Sequence, residues 1–248
     1  MAKVRLDALL VERGLVETRS RAQALILAGK VFSGERRLDK PGNQIDPTAP
    51  LEVRGRDHPW VSRGGVKLAH GLEFFGIDPA GSVCLDIGAS TGGFTDVLLN
   101  VGAARVYAVD VGHGQLDWRL RNDERVIVLE RTNARHLSRE QVPEPIDLVV
   151  CDASFIGLAT ILPAPLALTA PGARLIALIK PQFEVGKGQV GKGGVVRDQA
   201  LREEACEKVR AWLDTLPGWR VLGISESPIK GPEGNVEFLI AAERNEEE

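Results

Sequence analysis

From about residue 65 onward the chain alternates short apolar runs with segments of helical period. No other feature of the sequence restricts the fold so strongly. A helical pattern over 66–75 precedes the run Ser82-Val83-Cys84-Leu85-Asp86-Ile87, and a helix reaching Leu99 follows it. Runs at 105–109, 126–129, 146–150 and 174–179 repeat the strand signal, with helices expected near 116–120 and over 155–168. A helix over 199–213 then leads to strands at 220–225 and 236–241. Apolar strands that alternate with helices are served by a parallel sheet covered on both faces. The last two strands have no helix between them and pair most simply antiparallel, which makes seven strands. Such sheets bind ligands beyond the carboxyl ends of their strands, so chemistry is expected there.

Apolar residues at 44% and charged residues at 26% exclude wholesale disorder. No run approaches the roughly 18 apolar residues of a membrane span. Charges at Lys3, Arg5 and Asp7 sit where an export signal would be apolar, so a cytoplasmic protein without membrane contact is expected. Cys84, Cys151 and Cys206 read as reduced core thiols, and no Cys/His cluster has metal-site spacing. The net charge of −3 divides unevenly. Residues 1–67 carry +5 and the remainder −8, part of it in Glu246-Glu247-Glu248. A basic N-terminal module on an acidic body suggests a polyanionic partner met through the N-terminal side.

That module begins with a helical stripe, Leu6, Leu9, Leu10 and Leu15, closed at Gly14. A second helix, capped by Thr18 or Ser20, carries Ala22, Leu25, Ile26 and Leu27 and stops at Gly29. Val31-Phe32 and Leu51-Glu52-Val53 read as short strands flanking a turn-rich stretch, 38–45. Arg5, Arg13, Arg19, Arg21 and Lys30 fall on or beside the helices, where they could track a phosphate backbone. Leu6-Asp7, Gly14-Leu15, Ser20-Arg21, Ala24 and Ala28-Gly29-x-Val31 together resemble the S4 RNA-binding domain over residues 3–56. The expected division is an S4-like α+β domain at 1–58, a linker at 59–64 and an α/β domain at 65–248.

The segment Asp86-Ile87-Gly88-Ala89-Ser90-Thr91-Gly92-Gly93-Phe94 joins strand to helix through a glycine turn that lets a ligand approach backbone. It has neither dinucleotide-binding nor P-loop spacing. Asp110, ending the next strand, could hold a ribose diol. Together these resemble the motifs of class I S-adenosylmethionine-dependent methyltransferases and imply a seven-stranded Rossmann-like sheet. By that resemblance Asp86, Gly88, Ser90, Gly92, Gly93 and Phe94 form the cofactor turn, Gly88 and Gly92 bordering the methionine end. Asp110 would take the ribose and Asn133 the adenine, an Asn where related enzymes often have Asp. A second glycine-rich segment, 186–193, mimics nucleotide motifs, but Gly193 stands where a P-loop needs Ser or Thr. Its Lys187 and Lys192, with Arg197, suit an RNA-contacting lid better.

Four ionisable residues occupy strand ends or helix starts: Lys67, Asp152, Lys180 and Glu237. Jointly they resemble the Lys-Asp-Lys-Glu tetrad of the FtsJ-like ribose 2′-O-methyltransferases. A ribose hydroxyl is a poor nucleophile near neutral pH, so such an enzyme must orient it and remove its proton. Lys180 is the expected base, with Lys67 as neighbouring cation, Asp152 orienting Lys180 and Glu237 holding Lys67. With the S4-like module and the segment Pro59-Trp60-Val61-Ser62-Arg63-Gly64-Gly65, the chain resembles the TlyA (hemolysin A) family. That family implies S-adenosylmethionine as donor and cytidine ribose in the ribosomal RNA of ribosomal subunits as target. Arg63, between the domains, joins the expected RNA contacts. A non-catalytic ribosome-assembly factor would not require all four tetrad positions, and a pore-forming hemolysin would need apolar segments that the sequence lacks. Phe74-Phe75 fits core or interface alike, which leaves the oligomeric state open.

Overall fold

In the computed structural model of the chain, residues 3–16, 18–54, 58–231 and 233–246 are described, Lys187 by its backbone alone. Glu247 and Glu248 of the acidic tail lie outside them.

The N-terminal domain runs β1 (Val4–Arg5), α1 (Leu6–Glu12), α2 (Arg19–Leu27), β2 (Val31–Ser33), β3 (Arg36–Arg37), β4 (Gln44–Ile45) and β5 (Glu52–Val53). Leu6 and Leu10 of α1 pack on Ala22 and Ile26 of α2, and Val31, Leu38 and Val53 close this small core. Thr18, not Ser20, caps α2, its hydroxyl accepting from the Arg21 N–H at 3.2 Å. The turn-rich stretch contains a strand after all: β4 pairs antiparallel with β1, while β2 lies between β3 and β5. A two-residue strand is too short to show alternation in sequence.

The second domain continues with α3 (Gly64–Phe75), β6 (Val83–Ile87), α4 (Gly93–Val101), β7 (Arg105–Val109), α5 (Trp118–Arg121), β8 (Val126–Leu129) and β9 (Ile146–Cys151). Then come α6 (Leu158–Ile161), α7 (Pro163–Leu166), β10 (Thr169–Ile179), α8 (Pro181–Glu184), α9 (Gln199–Asp214), β11 (Trp219–Glu226) and β12 (Phe238–Arg244). The seven strands lie in the order β11-β12-β10-β9-β6-β7-β8. Strands β6 to β10 are parallel to one another, and β12 runs antiparallel between β10 and β11. This is the seven-stranded sheet expected from the sequence, with the small α+β domain at its N-terminal side.

Both faces are buried, as the continuous apolar runs require. Cys84, Val106, Leu148 and Ile176 face α3 and α4 through Leu68, Leu72, Val97 and Leu98. Leu85, Tyr107, Val149 and Leu175 face the other layer through Leu158, Leu162, Val209 and Leu213. Burial pushes the Cys84 and Cys151 thiols up to about 12, which leaves both protonated and inert.

The helix expected over 155–168 is instead two single turns, α6 and α7. Phe155 stands before them with φ 65°, and Pro163 starts α7, since proline has no N–H to continue the turn of α6. The strand expected from 174 begins at Thr169, with a register shift between Thr169 and Arg174. The strand expected from Val236 begins at Phe238, so Glu237 sits just ahead of β12.

Candidate active site

The register of the sheet assembles the site. Asp152 follows β9, and its N–H donates to the Ile87 carbonyl at 3.0 Å, beside the carboxyl end of β6. Lys180 follows β10, and β10 pairs with β12 through Ile179 and Phe238. One residue further, Lys180 and Glu237 are therefore brought together at the same sheet end. Lys67 enters from the first turn of α3.

These four side chains form an alternating chain of charge. Glu237 Oε2 accepts from Lys67 Nζ at 2.7 Å, and Asp152 Oδ2 accepts from the same ammonium at 3.5 Å. Asp152 Oδ1 lies 2.6 Å from Lys180 Nζ. Lys180 also donates to Ser154 Oγ at 2.9 Å and to the Asp152 carbonyl at 3.1 Å. Lys67, Lys180 and Glu237 are buried, the last only 1% exposed. Burial pulls the Lys67 ammonium down, but the Asp152 and Glu237 carboxylates outweigh it and hold its pKa above the ordinary lysine value. Lys67 is thus a fixed positive charge.

Lys67, Asp152, Ser154 and Lys180 line a cleft of about 1170 Å³ that opens between the two domains. Arg63 and Ser62 of the linker also line it, and its far wall is residues 12–16 at the end of α1. The linker is seated on the start of α4. Val61 N–H donates to Asp96 Oδ2 at 2.8 Å, and a Cβ on Gly93 would fall 2.3 Å from Ser62 Oγ. Trp60 lies against Gly65, where a Cβ would meet its Cγ at 2.4 Å.

The glycine turn divides into residues that face the cleft and residues that build it. Gly88, Ser90, Gly93 and Phe94 line the cleft, whereas Asp86, Gly92, Asp110 and Asn133 do not. Gly92 has φ 96° and a Cβ there would meet Leu120 at 2.3 Å, so glycine is required for backbone and packing together. Asp86 is fully buried, its Oδ2 accepting from Thr95 N–H at 3.0 Å and Thr95 Oγ1 at 2.7 Å. Its Oδ1 has no hydrogen-bond partner among the described residues, and burial raises the pKa to about 7. That oxygen is closed off from the cleft, so Asp86 shapes the turn through Thr95 and does not face a ligand itself. Asp110 Oδ2 accepts from Ser90 N–H at 2.8 Å and Oδ1 from Gly112 N–H at 2.7 Å. Each oxygen keeps a lone pair for a diol. Asn133 is exposed and its Oδ1 accepts from Arg135 N–H at 3.1 Å, capping a turn.

Among the expected RNA contacts, Arg5 and Arg19 converge on the buried Asp7 at 2.9 and 3.0 Å, which orients both guanidiniums. They and Gln23 hold the Asp7 carboxyl well below the usual range, against the effect of burial. Arg21 and Lys192 are exposed and Lys30 is half-buried, while the Lys187 side chain lies outside the description. Three residues were not anticipated. Ser154 bonds Lys180; Phe155, next to it, is 88% exposed; and Trp118, on the cleft rim, is 75% exposed. The position of Ser154 and Phe155 just past a strand end was visible in sequence, but apolar Phe155 read as the first residue of a helix, and Trp118 fell inside the helix expected near 116–120.

The family described as FtsJ-like methyltransferase matches residues 60–244, and the S4 domain matches residues 4–49. The 16S/23S rRNA (cytidine-2′-O)-methyltransferase TlyA of Mycobacterium tuberculosis (strain CDC 1551 / Oshkosh) is 52% identical over 239 residues, covering 96% of this chain and 89% of that protein. YqxC of Bacillus subtilis (strain 168) is 48% identical, covering 96% of this chain and 85% of its own length. A solved Streptococcus thermophilus protein described as a hemolysin superposes with a TM-score of 0.79 at 42% identity, over 99% of this chain and 90% of that one. Among the described residues, no helix is long and apolar enough to cross a membrane.

Proposed function

The chain belongs to the FtsJ-like methyltransferase family, and from that premise we propose that it methylates the ribose 2′-hydroxyl of a cytidine in ribosomal RNA. The donor in this reading is S-adenosylmethionine, the substrate is a ribosomal subunit, and the reaction takes place in the cytoplasm. The observation that carries the reading is the run Glu237–Lys67–Asp152–Lys180, three of whose members line a cleft shared with the S4-type domain.

When bound, S-adenosylmethionine supplies a sulfonium methyl that is already electrophilic. Gly88, Ser90, Gly93 and Asp110 are the residues that would hold it. The remaining task falls to the protein: fix the 2′-oxygen in line and take its proton. Lys180 accepts that proton from the 2′-oxygen. The ammonium it becomes lies among Asp152 Oδ1, the Asp152 carbonyl and Ser154 Oγ, an arrangement that favours the state after transfer. Lys67 holds Asp152 in place, and Glu237 holds Lys67 in place. Arg5, Arg19, Arg21, Lys30, Arg63, Lys187 and Lys192 supply phosphate contacts, with Arg5 and Arg19 pre-oriented by Asp7. Exposed Phe155 offers a face on which a nucleobase can stack.

The test is transfer of labelled methyl from S-adenosylmethionine to ribosomal subunits from cells lacking the modification, with wild type and Lys180→Ala compared. Label at a cytidine 2′-oxygen that disappears in the variant is the expected result. Cofactor binding without incorporation into either subunit would refute the substrate.

A further inference from the structure

The glycine- and lysine-rich segment 186–197 is attached to the body at a specific point. Asn235 is 1% exposed, and both ends of its amide are engaged by this segment. Its Oδ1 accepts from Val196 N–H at 2.9 Å, and its Nδ2 donates to the Gly194 carbonyl at 2.9 Å. Val196 is itself buried, and its carbonyl accepts from Arg202 Nε at 2.9 Å. Gly191 N–H donates to Val195 O at 3.2 Å, closing a turn that leaves Lys192 exposed.

Asn235 belongs to a segment that folds back on itself. Ser227 N–H donates to Glu237 O and Gly231 N–H to Asn235 O, each at 2.9 Å. Two residues beyond Asn235, a Cα separation of at most roughly 7 Å, Glu237 holds Lys67. One short stretch of chain therefore grips the basic arm with one side chain and the buried ammonium of the site with another.

We propose that Asn235 is a positioning residue for the reaction: it clamps the arm so that Lys192 meets an RNA phosphate in fixed register with Lys180. The physical need comes from the glycines. Gly193 and Gly194 both have left-handed φ, 78° and 76°, and a glycine-rich arm without an anchor would lose much conformational freedom on binding RNA. An anchor formed on folding removes that cost from the binding step. A buried apolar residue would fill the same space but would hold neither the Val196 N–H nor the Gly194 carbonyl.

The inference rests on the rRNA reading, so its experiment has an arm that does not. Hydrogen exchange and tryptic cleavage after Lys187 and Lys192 are compared in the full-length wild type, Asn235→Ala and Asn235→Asp. Asn235→Asp keeps the acceptor for Val196 and loses the donor to Gly194, and serves if the alanine variant does not fold. Faster exchange over 187–195 is expected in both, with cofactor affinity unchanged. In methyl transfer to ribosomal subunits, KM for the subunit should rise about tenfold, as for a lost pair of buried hydrogen bonds, with kcat nearly unchanged. In a Lys192→Ala background the same substitution should add little. Unchanged exchange overturns the clamp. Faster exchange with unchanged KM, or full additivity with Lys192→Ala, overturns its role in substrate positioning. No transfer by wild type would strike at the rRNA reading instead, while the exchange arm still decides the anchor.

Discussion

Glu237 and Lys67 lie 170 residues apart in the chain, and their carboxylate and ammonium meet at 2.7 Å in a place almost closed to solvent. Their contact ties the first helix of the sheet domain to the residue just ahead of its last strand, so the same ion pair serves fold and site.

Glu237→Gln tests that double service. The substitution leaves Lys67 buried with Asp152, at 3.5 Å, as its remaining carboxylate among the described residues. A stability loss of about 3 kcal/mol is expected by chemical denaturation, since breaking a buried pair strands the other charge. Methyl transfer should fall at least about a hundredfold, because Asp152 would be drawn toward Lys67 and away from Lys180. Retained stability together with retained activity would remove Glu237 from the site.

Asp86 makes stability depend on pH in an unusual direction for a carboxylate. Its pKa is raised to about 7, chiefly by burial, so the folded state keeps a proton that the unfolded state releases near pH 4. Stability is therefore greater below about pH 4, falls as pH rises to about 7 and then levels. The effect is at most about 4 kcal/mol. Urea midpoints at pH 5 and pH 8 should differ less in Asp86→Asn than in wild type. An equal difference in both would assign the pH dependence to other groups.

Gly93→Ala tests the seat of the linker. The new Cβ would fall 2.3 Å from Ser62 Oγ and 2.9 Å from Gly65 N, so the linker must lift from α4. Overpacking of this kind costs about 1–3 kcal/mol. Calorimetric titration should show cofactor affinity reduced about tenfold, and Trp60→Ala should weaken it in the same direction. Unaltered affinity in both would leave the linker as a mere tether.

Phe155→Gly should separate stability from function. Phe155 is 88% exposed and has φ 65°, a backbone conformation that suits glycine better. Thermal stability should hold or rise slightly, while KM for the ribosomal subunit rises about tenfold from a lost stacking face. A variant with wild-type KM would make Phe155 an ordinary surface residue.

Much of this molecule was legible along the chain. The strands from β6 to β12 were recognisable because burial on both faces writes itself as continuous apolar runs, and Asp152 and Lys180 stood out as charges at the ends of two of those runs. Phe155 was misread because an apolar residue ahead of a helical period gives no sign of a left-handed backbone. Arg5 and Arg19 were legible as candidate phosphate contacts, but their shared seat on Asp7 was not, because Arg19 reaches Asp7 only once α2 packs on α1.

The alternation of strands and helices from β6 to β12 can be read along the chain, because periodicity is a local property. Only the tertiary structure decided that β12 inserts between β10 and β11, and that Ile179 pairs with Phe238. That register places Glu237 beside Lys180 and gives Lys67 its buried partner. Strand pairing is fixed by packing among residues far apart in the chain, and a slip of one residue would turn every side chain to the opposite face.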